Sequence, residues 1–589
     1  MTFQRSKTSN SIKNNSIIKK IRKIKIKNFL LCSCLAILGA LLFALANPNP
    51  LIKQGFSIAA WFMFVPLFFL IKKSFLKNCW FYSGLYGCLS VCAYAYWLYN
   101  YDPLCLYIAI PIAFIATAIL GLGLKLIEKA FVKNAWLVQF LLLCSFDYLR
   151  TLGFLGIHYG LAAYSQWKFN SLIQITSVIG IFGLNAIVSF SSSLIFALLS
   201  KSEDKKYFMR QMISDDRHYE GASYINYVSE NTRRLEYASL KLPLVCLVIY
   251  LLLLISIVIQ GKIKLNKNQE YPSLTTVVIQ HNDNPHSNGM ENFTESIHTL
   301  MDLTDEALEM NPNIKLVIWP ETAVVPSILY HYAQENNSDR KKLVLYVLDY
   351  FKNHNVSFIT GNQHIEVNTI DGSRKYYNSA LLFKAESDLN PPQPDIYNKI
   401  HLVPFSESFP YEKYFPHVYK EILERQKYFS EPGKEIKVFE AEKLLIYTPI
   451  CFENSFPELC RQAYKKGARC FVCLVNDSWA KSEACQYEHL AMAKFRAIEN
   501  NVPVAISAVS GQTAFIDQKG RLTAMAAPFT KSYVIGQLPL VPADQKASLY
   551  NKIGDIFGYG IAFLLLAVLI IRGILAIIFK VLWQNAQKQ

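Results

Sequence analysis

Eight apolar runs set the terms for this chain. They lie near residues 29–46, 56–71, 80–99, 104–124, 135–150, 171–199, 243–260 and 554–571. Each is close to the roughly 17–25 residues that carry a helix across a bilayer. Their flanking charges set an orientation. From Met1 to Asn28 the only ionisable side chains are basic, among them Arg5, Lys19, Lys20 and Arg22. A basic tail of this kind can bind nucleic acid, but this one runs straight into Phe29-Leu30-Leu31, so it reads as the cytoplasmic flank of a first span and no nucleic-acid partner is expected. Lys72, Lys73 and Lys77 follow the second run, and Lys125, Lys129 and Lys133 the fourth, whereas Tyr99 to Pro103 holds no lysine. The positive-inside rule then leaves the end of the seventh run outside. Lys262, Lys264 and Lys267 point the other way, but they lead into a large domain, where that rule weakens. Ala44-Leu45-Ala46 resembles a signal-peptidase site, and cleavage there leaves the same topology.

The expected plan is a polytopic α-helical membrane protein with an α/β soluble domain. It divides into a basic cytoplasmic tail, 1–28, and a membrane domain of about seven helices, 29–262. A catalytic domain outside the membrane, 270–540, leads to a last span, 554–571, and a cytoplasmic tail, 572–589. Within the membrane domain, residues 201–242 mix charges of both signs and read as a cytoplasmic loop with a short helix. From about 270 the composition becomes that of a soluble protein. Strands are predicted at Thr275–Gln280, Lys315–Trp319, Val356–Thr360, Ser379–Lys384, Leu444–Ile450, Cys470–Val475 and Val502–Val509. Helices are predicted at Glu291–Met310, Lys341–Lys352, 456–466 and 484–500, with Ser455 as an N-cap and a hairpin turn at Asp517-Gln518-Lys519-Gly520. Strands alternating with helices imply layered packing around a largely buried sheet.

Three strand ends in this domain finish on an ionisable residue. Leu316-Val317-Ile318-Trp319-Pro320 leads into Glu321, Tyr397-Asn398 into Lys399, and Leu444 to Ile450 into Cys451. Taken singly, Cys451 reads as a buried strand-end thiol, and Glu321 and Lys399 as solvated charges. Together they form a base, a cation and a nucleophile at strand ends, where functional groups of parallel sheets gather. Thirteen cysteines at irregular spacing describe no disulfide framework. Cys470 and Cys473 lie three apart in a predicted strand and face opposite sides, so no shared metal is expected there. Cys460 and Cys485 are free or paired; spacing does not decide.

Trp319-Pro320-Glu321, Tyr397-Asn398-Lys399-x-His401-Leu402-Val403-Pro404-Phe405-x-Glu407 and Ile450-Cys451-Phe452-Glu453 resemble the Glu, Lys and Cys blocks of the nitrilase, or carbon–nitrogen hydrolase, superfamily. The His-Leu-Val-Pro-Phe-x-Glu form resembles its membrane-bound branch, the apolipoprotein N-acyltransferases. So do Asp147-Tyr148-Leu149-Arg150, Gly160-x-x-x-Tyr164-Ser165-Gln166, Asn476-Asp477-Ser478-Trp479 and the segment from Gln486 to Glu499. The resemblance implies a nitrilase-like αββα sandwich. It also implies transfer of an acyl chain from a membrane phospholipid to the α-amino group of an apolipoprotein's N-terminal diacylglyceryl-cysteine, at the bacterial inner membrane with the catalytic domain on the periplasmic side. In that reading Cys451 is the nucleophile, Glu321 the proton acceptor and Lys399 the oxyanion stabiliser, joined by the backbone N–H of Phe452. Glu407 orients Lys399 or Glu321, and Glu453 supports the nucleophile turn. No cofactor or metal is called for.

The sequence departs from the family where lids and substrate contacts are expected. No tryptophan follows Gln280-His281-Asn282, Ala480-Lys481 replaces an aromatic–glycine pair, Val502-Pro503 and Ile506 to Val509 stand where arginines are usual, and Ser510 and Gln512 flank Gly511. Two other readings use the same residues: a membrane-tethered amidase, which would release free fatty acid, and a non-catalytic scaffold with a relic domain, which would never load an acyl group on Cys451.

Overall fold

The computed structural model describes residues 4–131, 133–215, 240–267, 270–284 and 289–587. In chain order its first part holds α1 (Gln4–Ala46), α2 (Val65–Lys73), α3 (Cys79–Tyr94), α4 (Pro103–Ala130), α5 (Ala135–Leu149), α6 (Thr176–Asp215) and α7 (Lys241–Asn266). Among the described residues, five helical stretches are long and apolar enough to cross a membrane: Lys25–Ala46, Pro103–Ala130, Thr176–Asp204, Lys241–Asn266 and a last helix, Ile556–Ala586.

Three local expectations change. The basic segment is helical from Gln4 onward and continuous with the first apolar run. The 56–71 run is not one helix: a single turn, Ser57–Ala60, is followed by a break and then by α2. Pro66 explains the restart, because proline suits a first helical turn and not an interior. The expected loop 201–242 is helical through Asp215, as the end of α6, while its residues 216–239 lie outside the described residues. At the start of that stretch Lys72 of α2 meets Asp204 at 2.9 Å.

The soluble part is a four-layer αββα sandwich. Its strands are β1 (Ser273–Gln280), β2 (Leu316–Ile318), β3 (Ser357–Val367), β4 (Arg374–Phe383), β5 (Asp395–Asn398), β6 (Phe439–Ala441), β7 (Leu444–Tyr447), β8 (Cys470–Val475), β9 (Val504–Ala508), β10 (Ala514–Ile516), β11 (Leu522–Met525) and β12 (Ser532–Pro539). They form two six-stranded sheets, ordered β12-β1-β2-β3-β4-β5 and β11-β10-β9-β8-β7-β6. The centre of each is parallel, β1-β2-β3 and β7-β8-β9, and the flanking strands are antiparallel.

Alternation along β1 and β2 shows why the layers stack. Val277, Ile279 and Val317 pack outward under α8 (Met290–Met310) and α9 (Asp339–Asn353) with Leu300, Val344 and Val347. Val278, Leu316 and Ile318 face inward to meet Val472, Leu474 and Ile506 of the second sheet. Ser507 Oγ ties the sheets, reaching the carbonyls of Ile279 at 2.9 Å and Ile318 at 3.1 Å. A short helix, α10 (Pro416–Gln426), lies between β5 and β6. α11 (Pro457–Lys465) and α12 (Glu483–Asn500) follow β7 and β8. α11 begins at Pro457 with Phe456, not Ser455, at its cap, because Cys451–Ser455 forms a 3₁₀ turn of its own.

Every residue of α12 from Ala484 to Asn500 is buried, since the helix lies between the second sheet and the membrane part. Lys494 Nζ donates to Trp167 O at 2.7 Å, and Glu499 Oε1 accepts from Ile181 N at 2.9 Å. That second bond satisfies an orphan donor where α6 straightens after Gly180, whose φ is +64°.

The turn after β2 carries Glu321 against β3. A Cβ at Gly361 would lie 2.4 Å from Thr322 N and 2.6 Å from Pro320 O, both backbone atoms. Gly361→Ala is therefore expected to displace that turn and cost about 1–3 kcal/mol, read as a lower melting temperature in detergent together with lost activity.

Candidate active site

Cys451 leaves β7 with φ +50°, in the left-handed region that a non-glycine side chain occupies at a cost of about 1–3 kcal/mol. Glu453 holds the turn in place. Its Oε2 accepts from Ile450 N at 2.9 Å, and its Oε1 accepts from Tyr397 Oη at 2.8 Å, Ile400 N at 2.7 Å and His401 N at 3.2 Å. One buried carboxylate thus staples the nucleophile turn to the segment that carries Lys399. Burial, against these donors, pushes its pKa up to about 7.

Glu321, Lys399 and Glu407 meet beside the thiol. Lys399 Nζ donates to Glu407 Oε1 at 3.0 Å and lies 2.9 Å from its Oε2 and 3.6 Å from Glu321 Oε1. Asn378 Nδ2 bridges the two carboxylates, at 2.8 Å from Glu321 Oε1 and 2.9 Å from Glu407 Oε1. Val403 N holds Glu407 Oε2 at 2.8 Å. Lys399 is 1% exposed. Burial alone would pull its ammonium down, but Glu407, Glu321 and Cys451 together more than reverse this and hold it above its ordinary value. Burial raises the Glu321 carboxyl, with Lys399 opposing. Burial and then the Glu321 charge push the Cys451 thiol well up, against Lys399 and the backbone N–H of Asn476. This arrangement can pass a proton from thiol to carboxylate and place a fixed cation where negative charge would develop.

All six residues singled out from the sequence come together here, with Phe452 lining the space beside Cys451. A cavity of about 650 Å³ opens from Glu321, Lys399 and Cys451 and continues between the helices of the membrane part, past Val91, Ile112 and Leu143. Sequence reasoning gave no role to four residues the structure puts at the site. Asn378 lies inside β4 and has no local signal. Asp477 and His489 stand in quoted segments, and Tyr159 directly precedes one. Oxygen, nitrogen and sulfur of Asp477, His489 and Cys451 lie within 4.8 Å of one another. His489 Nδ1 lies 2.7 Å from Asp477 Oδ1, and its Nε2 meets Tyr159 Oη at 2.5 Å. Cys460, Cys470, Cys473 and Cys485 are buried and free, away from any disulfide.

Residues 278–546 match the family described as carbon-nitrogen hydrolase, and residues 38–194 match the apolipoprotein N-acyltransferase N-terminal domain. The chain is 34% identical over 544 residues to apolipoprotein N-acyltransferase 1 of Treponema denticola, covering 90% of this chain and 94% of that protein. The chain belongs to the apolipoprotein N-acyltransferase family. Identity is 35% over 549 residues to apolipoprotein N-acyltransferase 1 of Treponema pallidum, covering 92% and 95% of the two chains. It is 28% over 536 residues to apolipoprotein N-acyltransferase of Borreliella burgdorferi, covering 89% and 93%.

Within this family member the unusual positions have structural partners. Ala480 is buried and its carbonyl accepts from Asn100 Nδ2 at 2.7 Å, so the segment is pinned to the membrane part. Gln280 Nε2 donates to Ala527 O and Thr530 O, each at 2.8 Å, beside the place where a tryptophan was expected. Residues 285–288 of that segment lie outside the described residues.

The raised Glu453 pKa has a sign that can be tested. The folded state keeps a proton that the unfolded chain loses above 4.5, so this group makes stability fall as pH rises from 4.5 through about 7. Glu453→Gln is expected to flatten that part of the melting-temperature curve and to lower it throughout, because its amide would face N–H donors.

Proposed function

We propose that this chain transfers a fatty acyl group from a membrane phospholipid to the α-amino group of the N-terminal diacylglyceryl-cysteine of apolipoproteins, through a thioester on Cys451. Supporting it, beside family membership, is one observation above all: the cavity that holds the thiol continues into the membrane part. A lipid chain entering between the helices meets the nucleophile without leaving an apolar path.

Glu321 accepts the Cys451 proton as the thiolate attacks the ester carbonyl. The tetrahedral oxyanion faces Lys399, joined by the backbone N–H of Phe452. Collapse breaks the ester C–O bond, and Glu321 returns the proton to the lysophospholipid oxygen. The acceptor amine then attacks the thioester, and the C–S bond breaks to give the amide and a reprotonated Cys451. Thiolate serves both halves because it is a good nucleophile and a good leaving group. Glu407 orients Lys399 and Glu453 the nucleophile turn. In this reading the long apolar helices cross a bacterial inner membrane, with the N-terminus cytoplasmic and the 270–540 domain periplasmic.

An amidase built on the same residues has no use for a cavity reaching into the bilayer, and a relic would not need the complete, hydrogen-bonded set around Cys451. Incubation with defined phospholipid is expected to add one acyl mass to the intact protein, absent in Cys451→Ala. A diacylated lipopeptide should discharge it as triacylated peptide. Release of free fatty acid alone would defeat the transferase reading in favour of hydrolysis. Lys399→Met, which removes the buried cation, is expected to lower kcat by about 10²–10³-fold, measured with saturating lipids.

A further inference from the structure

The proton count of the second half-reaction leaves one proton without an acceptor. An α-ammonium group carries three N–H bonds and the product amide one, so two protons leave the nitrogen. One returns to Cys451 sulfur through Glu321. The other needs a separate route, and α-amino groups, with a pKa of about 8, arrive largely protonated at neutral pH.

A second set of ionisable groups lies near the thiol. Asp477 follows β8 and His489 stands in α12, and both approach Cys451 within 4.8 Å. Asp477 Oδ1 lies 2.7 Å from His489 Nδ1, and on the other side of the ring Nε2 meets the Tyr159 hydroxyl at 2.5 Å. Asp477 and His489 are buried, whereas Tyr159 is half-buried and lines the cavity with Cys451. The Tyr159 ring lies parallel to Phe452, centroids 6.3 Å apart, and is backed by Trp97 at 5.8 Å. Burial lowers the affinity of His489 for a proton, but Asp477 outweighs it and leaves the imidazole above its ordinary value. Glu321, Lys399 and Glu407 have no hand in this chain of contacts.

We propose that Tyr159, His489 and Asp477 form a proton relay that deprotonates the incoming ammonium group. This rests on the acyltransferase reading above. The Tyr159 oxygen accepts a proton from the ammonium nitrogen while its own phenolic proton passes to His489 Nε2. The resulting imidazolium is paired with the Asp477 carboxylate. The free amine then attacks the thioester, Glu321 receives the second nitrogen proton and passes it to sulfur, and the relay returns its proton to water once product has left. Tyr159 touches the substrate; His489 and Asp477 act through it and position it.

The test separates the two half-reactions. Protein is loaded with acyl groups from phospholipid vesicles, freed of excess donor, and mixed with diacylated lipopeptide. Thioester loss is followed by rapid quench and intact mass spectrometry for the unaltered chain, Tyr159→Phe and His489→Gln. Discharge to the peptide should slow about 100-fold, within the range for loss of a general base, and by far more than loading does. Hydroxylamine, largely unprotonated at neutral pH, should discharge all three proteins equally. Raising the pH until the peptide amine is free in solution should bring the variants toward the unaltered rate. Equal discharge to peptide in all three proteins overturns the relay. So does equal slowing of loading and discharge, or slowed hydroxylamine discharge, since each indicates a structural role. Absence of any adduct on the unaltered chain defeats instead the acyltransferase reading on which the relay rests.

Discussion

One buried ammonium group organises the catalytic end of this molecule. Lys399 is removed from water and would cost several kcal/mol if left uncompensated. Glu407 and Glu321 compensate it, and both must be held where they are. The Val403 N–H and the Asn378 side chain meet that demand by fixing the carboxylates. The loop from Lys399 to Glu407 is therefore shaped by its own first and last residues. The same electrostatics raise the Cys451 thiol, since burial and the neighbouring Glu321 carboxylate both disfavour the thiolate.

The joint between the two parts of the chain is made as carefully as the site. α12 buries both faces, one on the sheet and one on the membrane helices. Its Arg496 and Glu499, fully buried and 2.9 Å apart, form an ion pair within a single helix while Glu499 also reaches the backbone of α6. A rigid element shared by both parts lets the nucleophile turn and the membrane end of the cavity hold a fixed relation. The pinned Ala480 segment adds a second point of attachment near the site.

Much of this was legible because it is local. Apolar runs declare membrane helices, and Glu321, Lys399 and Cys451 each follow a strand end, β2 and β5 in the first sheet and β7 in the second. Glu407 and Glu453 were placed in supporting roles, and each proves to accept several hydrogen bonds. Contacts set by register were not legible. Asn378 becomes a bridge only because β4 pairs with β5 so that Ser379 opposes Asn398, next to Lys399. Tyr159 reaches His489 across 330 positions of sequence. The stretch after residue 200, read as a loop with a short helix, is helical through Asp215. The break before Pro66 shows a further limit, because hydropathy counts residues and takes no account of a missing N–H.

The cavity has a consequence of its own. At about 650 Å³ it falls in the range of small-molecule sites. In the proposed reaction donor and acceptor take turns at the thiol, and the donor is the lipid that surrounds the protein. On that reading the chamber refills from its surroundings between visits of an acceptor, and the sulfur spends most of its life masked as a thioester.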